Sequence, residues 1–286
     1  MGKRFDTLLF PGFRNKAFTL SYDDGVIQDR RLVKLFHEHG VKGTFNLNYG
    51  VLEHRNIIRA PGRPEVDISK VTKEEVKMLY AGQEVGGHGL YHSDLASLGE
   101  PYAMYEIIED KAGLEKLVGK PLEMFAYPFG FYSDMVIRLL KSAGYKGART
   151  VRSTHSFDLP EDPFVLDPTC HHNDEKLMEL AEQFLQGKGF KPKLFYVWGH
   201  GYEFDGDNNW ERIEELLSYV GGHDDVWYAT NGEILSYLKA YEMLEYSVDG
   251  SMIYNPSSTD LYLMTSFMTR EELKAGSCTQ IKETSL

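Results

Sequence analysis

The chain has 286 residues, 42% of them hydrophobic and 13% aromatic, enough for one large core and more than a single β-sandwich needs. A formal net charge of −12 argues against partners held through phosphates, whether nucleic acid or an anionic membrane surface. Two distant cysteines, Cys170 and Cys278, with no C-x-x-C, set no disulfide framework.

The opening MGKRFDTLLFPGF carries basic residues but no sustained apolar run before Pro11, so no signal peptide is expected. No run is long enough for a membrane span, and a cytoplasmic, soluble protein of open oligomeric state is the expectation. From there the pattern alternates. Apolar runs at 17–22, 41–47, 84–88, 122–127, 145–151, 163–166, 194–199 and 226–229 predict strands. Helical spacing predicts helices over 29–39 (with Gly40 as a stop), 73–81, 101–118, 133–143, 174–187, 209–220 and 231–243. Thr72 and Glu75 are spaced as a capping box for the second helix.

Seven or eight strand–helix units imply a mostly parallel sheet and favour an α/β barrel over residues 1–243. Residues 244–286 change character. YSVDGSMIYNP and STDLYLMT read as strands of an appended hairpin, and KAGSCTQIKETSL reads as a polar, frayed tail.

In such a barrel the active site lies at the C-terminal ends of the strands. Chemistry-bearing residues collect there: Asp23 and Asp24, Asn46 and Asn48, His88 and His92, Pro128, Arg149 and Arg152, Asp167, His171 and His172, and His200.

His88 and His92 have the spacing that aims two imidazoles at one metal; two surface histidines are the plainer alternative. Gly86, Gly87 and Gly89 favour a tight ligand loop. One of the paired aspartates would suit a helix N-cap; two are better explained if one binds a cation and the other takes a proton. His200, at the same rim, suits a general acid. Trp198, Tyr202 and Tyr127 are core residues or a stacking surface for a sugar.

The motifs SYDDG, HGLYH, FAYPFG and an apolar run ending in His200 resemble, in order and spacing, those of the polysaccharide deacetylases, carbohydrate esterase family 4. The resemblance implies a distorted (β/α)7 barrel, here with a short C-terminal β extension. It implies hydrolysis of an N-acetyl group from an amino sugar or oligosaccharide. Asp24, His88 and His92 would hold one divalent metal, zinc first, with cobalt, nickel or iron as alternatives. Asp23 would be the base and His200 the acid. The Phe129 N–H would help hold the oxyanion, with Tyr127, Pro128, Asn48, Arg149 and Trp198 around the substrate.

Three departures stand out. Ser21 replaces the threonine of the first family motif, Gly89 replaces the hydroxyl residue of the second, and Ala126 stands where many members carry an arginine that pairs with the catalytic aspartate; Arg149 or Arg152 would substitute. No carboxylate clearly matches the partner of His200; Asp167 is the expectation, with Asp158 and Asp174 behind it. His171 and His172 lie outside the family motifs and are expected to line the pocket. Other amides or O-acetyl esters are alternative substrates on this scaffold. An inactive carbohydrate-binding relative and an Fe(II) oxygenase built on the two histidines and a carboxylate are alternatives of other kinds.

Overall fold

The computed structural model describes residues 6–59, 64–266 and 268–281. β1 (Thr7–Leu9) precedes the barrel, whose first strands are β2 (Lys16–Asp23) and β3 (Gly43–Leu47). β4 (Ile57–Ile58) and β5 (Val66–Asp67) form a small hairpin beside it. The barrel continues through β6 (Glu84–Gly87), β7 (Met124–Ala126), β8 (Gly147–Arg149), β9 (Cys170–His171) and β10 (Lys193–His200).

These seven parallel strands, in the order β8-β7-β6-β3-β2-β10-β9, curl into the distorted (β/α)7 barrel that the resemblance implies. β11 (Val226–Tyr228) adds itself along the first residues of β2. The helices are α1 (Asp29–Glu38), α2 (Lys73–Leu79), α3 (Glu100–Val118), α4 (Asp134–Ser142), α5 (Leu177–Gln186), α6 (Gly201–Gly206), α7 (Trp210–Val220) and α8 (Asn231–Glu242).

The period-2 pattern of the strands sorts side chains into two populations. Phe18, Leu20 and Tyr22 of β2 join Phe45, Phe125, Phe195 and Val197 in the main core with the apolar faces of the helices, Leu32, Phe36 and Leu216 among them. Each such buried side chain contributes roughly 1.5–3 kcal/mol. The alternate residues Thr19, Ser21 and Asp23 are buried too, and Thr19 and Ser21 hydrogen-bond inside the barrel to Asn231 and Asn46. The barrel interior is therefore polar at the level where chemistry is expected.

Four local expectations are corrected. Residues 163–166 do not form a strand: Leu166 makes a single parallel bridge to Arg149, and the sheet position next to β10 goes to β9. Pro160, Pro163 and Pro168 crowd that stretch, and proline cannot donate to a ladder. Thr72 does precede α2, but no capping box closes, because its hydroxyl turns to the Glu75 carboxylate (3.3 Å), which Arg30 also binds.

The C-terminal strands β12 (Glu245–Tyr246), β13 (Met252–Asn255), β14 (Leu261–Met264), β15 (Arg270–Leu273) and β16 (Ser277–Gln280) do not make one hairpin. β13 pairs with β12 and β16, whereas β14 pairs with β15 and with β1. Asn255 turns the chain between them, donating its buried amide to Thr259 O (2.8 Å) and Leu273 O (3.0 Å). The stretch expected to fray contains β16, and Ile281 after it is buried; residues 282–286 of that stretch, like residues 1–5, lie outside the described residues. Leu8, Phe10, Ile253, Leu261, Leu263, Leu273 and Ile281 share one cluster with Ala17, Met124 and Leu194 of the barrel strands.

Candidate functional site

Strand register builds the centre. Asp23 ends β2 opposite Asn46 of β3 on one side and His200 of β10 on the other. Asp23 is buried; Asn46 Nδ2 donates to its Oδ1 (2.8 Å), and Arg149 Nη2 donates to its Oδ2. Burial alone would raise this carboxyl, but Arg149, His88, His200 and the Asn46 bond outweigh it and hold the pKa at about 2.

The chain then turns sharply. Asp24 has φ +81 and Gly25 φ +59, where an added Cβ would meet Leu47 at 2.8 Å. That left-handed aspartate is a strained conformation of the kind that persists where surrounding structure enforces it.

Asp24, His88 and His92 bring their donor atoms within 4.8 Å of one another. His92 Nε2 lies 3.7 Å from Asp24 Oδ1, and the two imidazole rings meet edge to face at 4.7 Å. His88 Nδ1 lies 2.8 Å from Ala126 O; a carbonyl only accepts, so Nδ1 carries the proton and Nε2 keeps its lone pair. Among the described residues that buried Nε2 has no hydrogen-bond partner. Burial pushes His88 down to about 4 and also lowers His92, leaving neutral imidazoles suited to a cation. Two neutral imidazoles, a carboxylate and an orphaned lone pair fit a divalent transition metal. Lys70 Nζ, 3.6 Å from Asp24 Oδ1, supplies positive charge on the other side.

The ligand loop is held by residues from other elements. Asn48 Nδ2 donates to His88 O (2.6 Å) and Gly89 O (2.7 Å), so Asn48 braces the loop rather than facing the cleft. Asp110, buried on α3, accepts from His88 N (3.0 Å) and Tyr49 N (2.7 Å). One turn earlier Glu106 accepts from Tyr91 N (2.9 Å) and Ser93 Oγ (2.9 Å). These two acids support the loop in place of the hydroxyl that Gly89 lacks. Their signal in the sequence is two carboxylates four residues apart on the stripe that holds Ala103, Ile107 and Leu114.

The remaining expected residues divide. Of the two arginines proposed for Asp23, Arg149 is the one that reaches it. Arg152 is largely exposed and pairs with Asp167. Asp167 also accepts from Thr150 Oγ1, and Asp158 and Asp174 are engaged by Lys191 and His155, so none of the three orients His200. Glu203 does so. As the third residue of α6 it accepts from His200 N (3.0 Å), and its Oε2 lies 3.3 Å from His200 Nδ1. Burial lowers the His200 pKa, but Glu203, Asp23 and Asp24 together raise it above the ordinary histidine value.

Trp198 is buried with its face against the Arg149 guanidinium (4.4 Å), which makes it a lining for the ion pair rather than an open stacking surface. Tyr127 is enclosed, its hydroxyl donating to Phe164 O (2.9 Å), and belongs to the core. Pro128 is buried and opens the 3-10 turn on which Phe129, at φ +59, stands exposed with its ring edge-on to His92 at 4.5 Å. Tyr202 packs 5.2 Å from His200. His171 and His172 meet Glu203, not the open cleft. A cavity of about 380 Å³ lies apart from this centre, between β10, α8 and the 152–169 segment.

Comparisons with known proteins bear on the family and the fold. Residues 12–148 match the model for polysaccharide deacetylase. The fold is shared with a Mycobacterium smegmatis protein: TM-score 0.58, 16% identity, 85% of this chain and 96% of that one. An acetate-bound Streptococcus pyogenes deacetylase is similar at TM-score 0.44 and 19% identity, over 51% of this chain and 61% of that one, so the match spans about three fifths of its length. A Bacillus anthracis pseudoenzyme of carbohydrate esterase family 4 gives TM-score 0.47 and 18% identity, over 80% of this chain and 68% of that one. No curated protein matches the sequence. The paired aspartates, the ligand loop and the FAYPFG turn all lie within residues 12–148, the stretch that is similar to the polysaccharide deacetylase family.

Proposed function

We propose that this protein is a metal-dependent hydrolase that removes acetyl groups from an N-acetylated amino sugar or oligosaccharide. The observation that carries the proposal is the register of β2 and β10, which sets an ionised aspartate and a histidine of raised pKa opposite each other beside two neutral imidazoles. Asp24, His88 and His92 would hold one divalent cation, zinc being the first choice for two imidazoles and a carboxylate. When bound, such a metal polarises an acetamide carbonyl and lowers the pKa of water.

The chain's own residues supply the rest. Asp23, kept ionised by Arg149 and Asn46, accepts the proton of the attacking water. His200, kept protonated by Glu203, delivers a proton to the leaving amine. The Phe129 N–H stands at the turn beside His92 to hold the developing oxyanion. Arg149 and Trp198 keep Asp23 aimed while excluding bulk water.

An O-acetyl ester or another small amide would use the same residues, with the acid less demanded by a better leaving group. An inactive, sugar-binding relative would leave Asp23, Asp24, His88, His92 and His200 without work. The test is acetate release from N-acetylated chito-oligosaccharides, a panel of small amides and O-acetyl xylan, at one equivalent of added Zn²⁺, Co²⁺ or Ni²⁺. Release from an amino sugar that Asp23→Asn and His88→Ala/His92→Ala abolish is the expected result. No acetate from any member with any metal would move the protein to the inactive class.

A further inference from the structure

A second group of donors lies behind His200. Glu203 Oε2 is 3.1 Å from His171 Nε2 and 3.2 Å from His172 Nε2. The three donor atoms fall within 4.8 Å of one another. Tetrahedral coordination with bonds of about 2.0–2.1 Å puts neighbouring ligand atoms about 3.3–3.4 Å apart, so the spacing from Oε2 to each nitrogen is close to that of a filled site.

His172 is the informative member. It is wholly buried, its ring packed against both Tyr22 (5.7 Å) and Phe204 (4.1 Å), and an added Cβ at Gly199 would run into it. Despite that confinement, neither of its ring nitrogens has a hydrogen-bond partner among the described residues, although Nε2 is within reach of a carboxylate. A buried polar group that is fixed but unpaired is costly, and a ligand that uses the lone pair removes the cost.

We infer that His171, His172 and Glu203 form a second site for a divalent transition metal, separate from Asp24, His88 and His92. Two imidazoles and one carboxylate select zinc, cobalt, nickel or iron over magnesium or calcium. His171 Nδ1 accepts from Asn173 N (3.1 Å), so in the metal-free ring the proton sits on Nε2. Binding through Nε2 transfers that proton to Nδ1 and breaks the contact with Asn173, which makes this the weaker of the two sites. The inference rests in part on the proposed function: a cation on Glu203 competes for the oxygen that supports the His200 proton, so filling the second site inhibits.

The test is a titration with Co²⁺, read both by bound equivalents and by the visible absorption of the ion, in proteins that keep their melting transition. Wild type is expected to bind two equivalents. His88→Ala/His92→Ala is expected to keep one, and adding Glu203→Gln, which preserves shape, or His172→Ala is expected to remove it. If wild type binds one equivalent and His88→Ala/His92→Ala binds none, the second site is overturned and the first stands. If wild type binds a single equivalent that survives His88→Ala/His92→Ala but is lost in Glu203→Gln alone, the second site stands and the Asp24 site fails. Binding that persists in all variants is adventitious and also overturns the inference.

Discussion

Arg149 and Asp23, 126 positions apart in sequence, form a fully buried ion pair inside the barrel. The sheet explains the pairing: Arg149 of β8 lies in register with Ala126 of β7, so the two positions enter the barrel at the same height. An arginine missing from one strand is supplied from the next strand at the same height.

Arg149→Met leaves Asp23 buried with only Asn46 and histidines around it. The expected result is a fall of about 10²–10⁴ in kcat/KM and a stability loss of about 3–5 kcal/mol, the range for breaking a buried pair. Ala126→Arg combined with Arg149→Ala should recover part of the activity, because the two side chains enter the barrel at one level. Steady-state kinetics of the three proteins decides it; a single mutant with wild-type rates would remove Arg149 from the mechanism.

Glu203 raises the His200 pKa, and a general acid must be protonated to work. Activity therefore falls on the alkaline side as pH rises through that pKa. Glu203→Gln lowers the pKa and should move the alkaline limb of kcat to lower pH. Asp167→Asn should leave it in place. The pH profiles of the two variants, measured side by side, separate the structural assignment from the one the sequence led to.

Asp110→Asn leaves one carbonyl oxygen where two carboxylate oxygens received Tyr49 N and His88 N. The amide NH₂ then faces one of those donors. Metal affinity is expected to drop about 10–100-fold, as for other supports behind a ligand. Competition against a chromogenic chelator reads it directly, and an unchanged affinity would show that the loop holds its shape without α3.

Asp29 is buried, hydrogen-bonded through Oδ2 to Tyr80 (2.7 Å), and burial raises its pKa to about 8. A carboxyl with a folded pKa above its unfolded one binds its proton more tightly when folded. Its contribution is present at low pH and fades as pH rises from about 4 to about 8, at no more than about 1.4 kcal/mol per pH unit. Asp29→Asn should flatten the decline in melting temperature across that window; an identical slope in both proteins would refute it.

The parts of this architecture visible in the sequence are those with local causes. Strand runs such as AFTLSY and helices such as 29–39 announce themselves by period, and Asp23, Asp24, His88 and His92 by their place at strand ends. Glu203 was hidden because α6 is six residues long, carries a glycine at each end and gives too short a pattern to read. The preference for Arg149 over Arg152 depends on register between strands, and the strand expected at 163–166 fails on pairing. The partnership of β1 with β14 joins residues no local pattern connects.

That last pairing bears on how the molecule is made. Leu8 and Phe10 leave the ribosome long before their packing partners Leu261, Leu263, Leu273 and Ile281 are synthesised. At about 5–20 residues per second the floor of the barrel stays unsealed for on the order of ten seconds or more. Nascent chains thus stay exposed to proteases and aggregation until residues 261–281 emerge, and a stop codon upstream of residue 261 should yield degraded fragments rather than a shortened, folded protein.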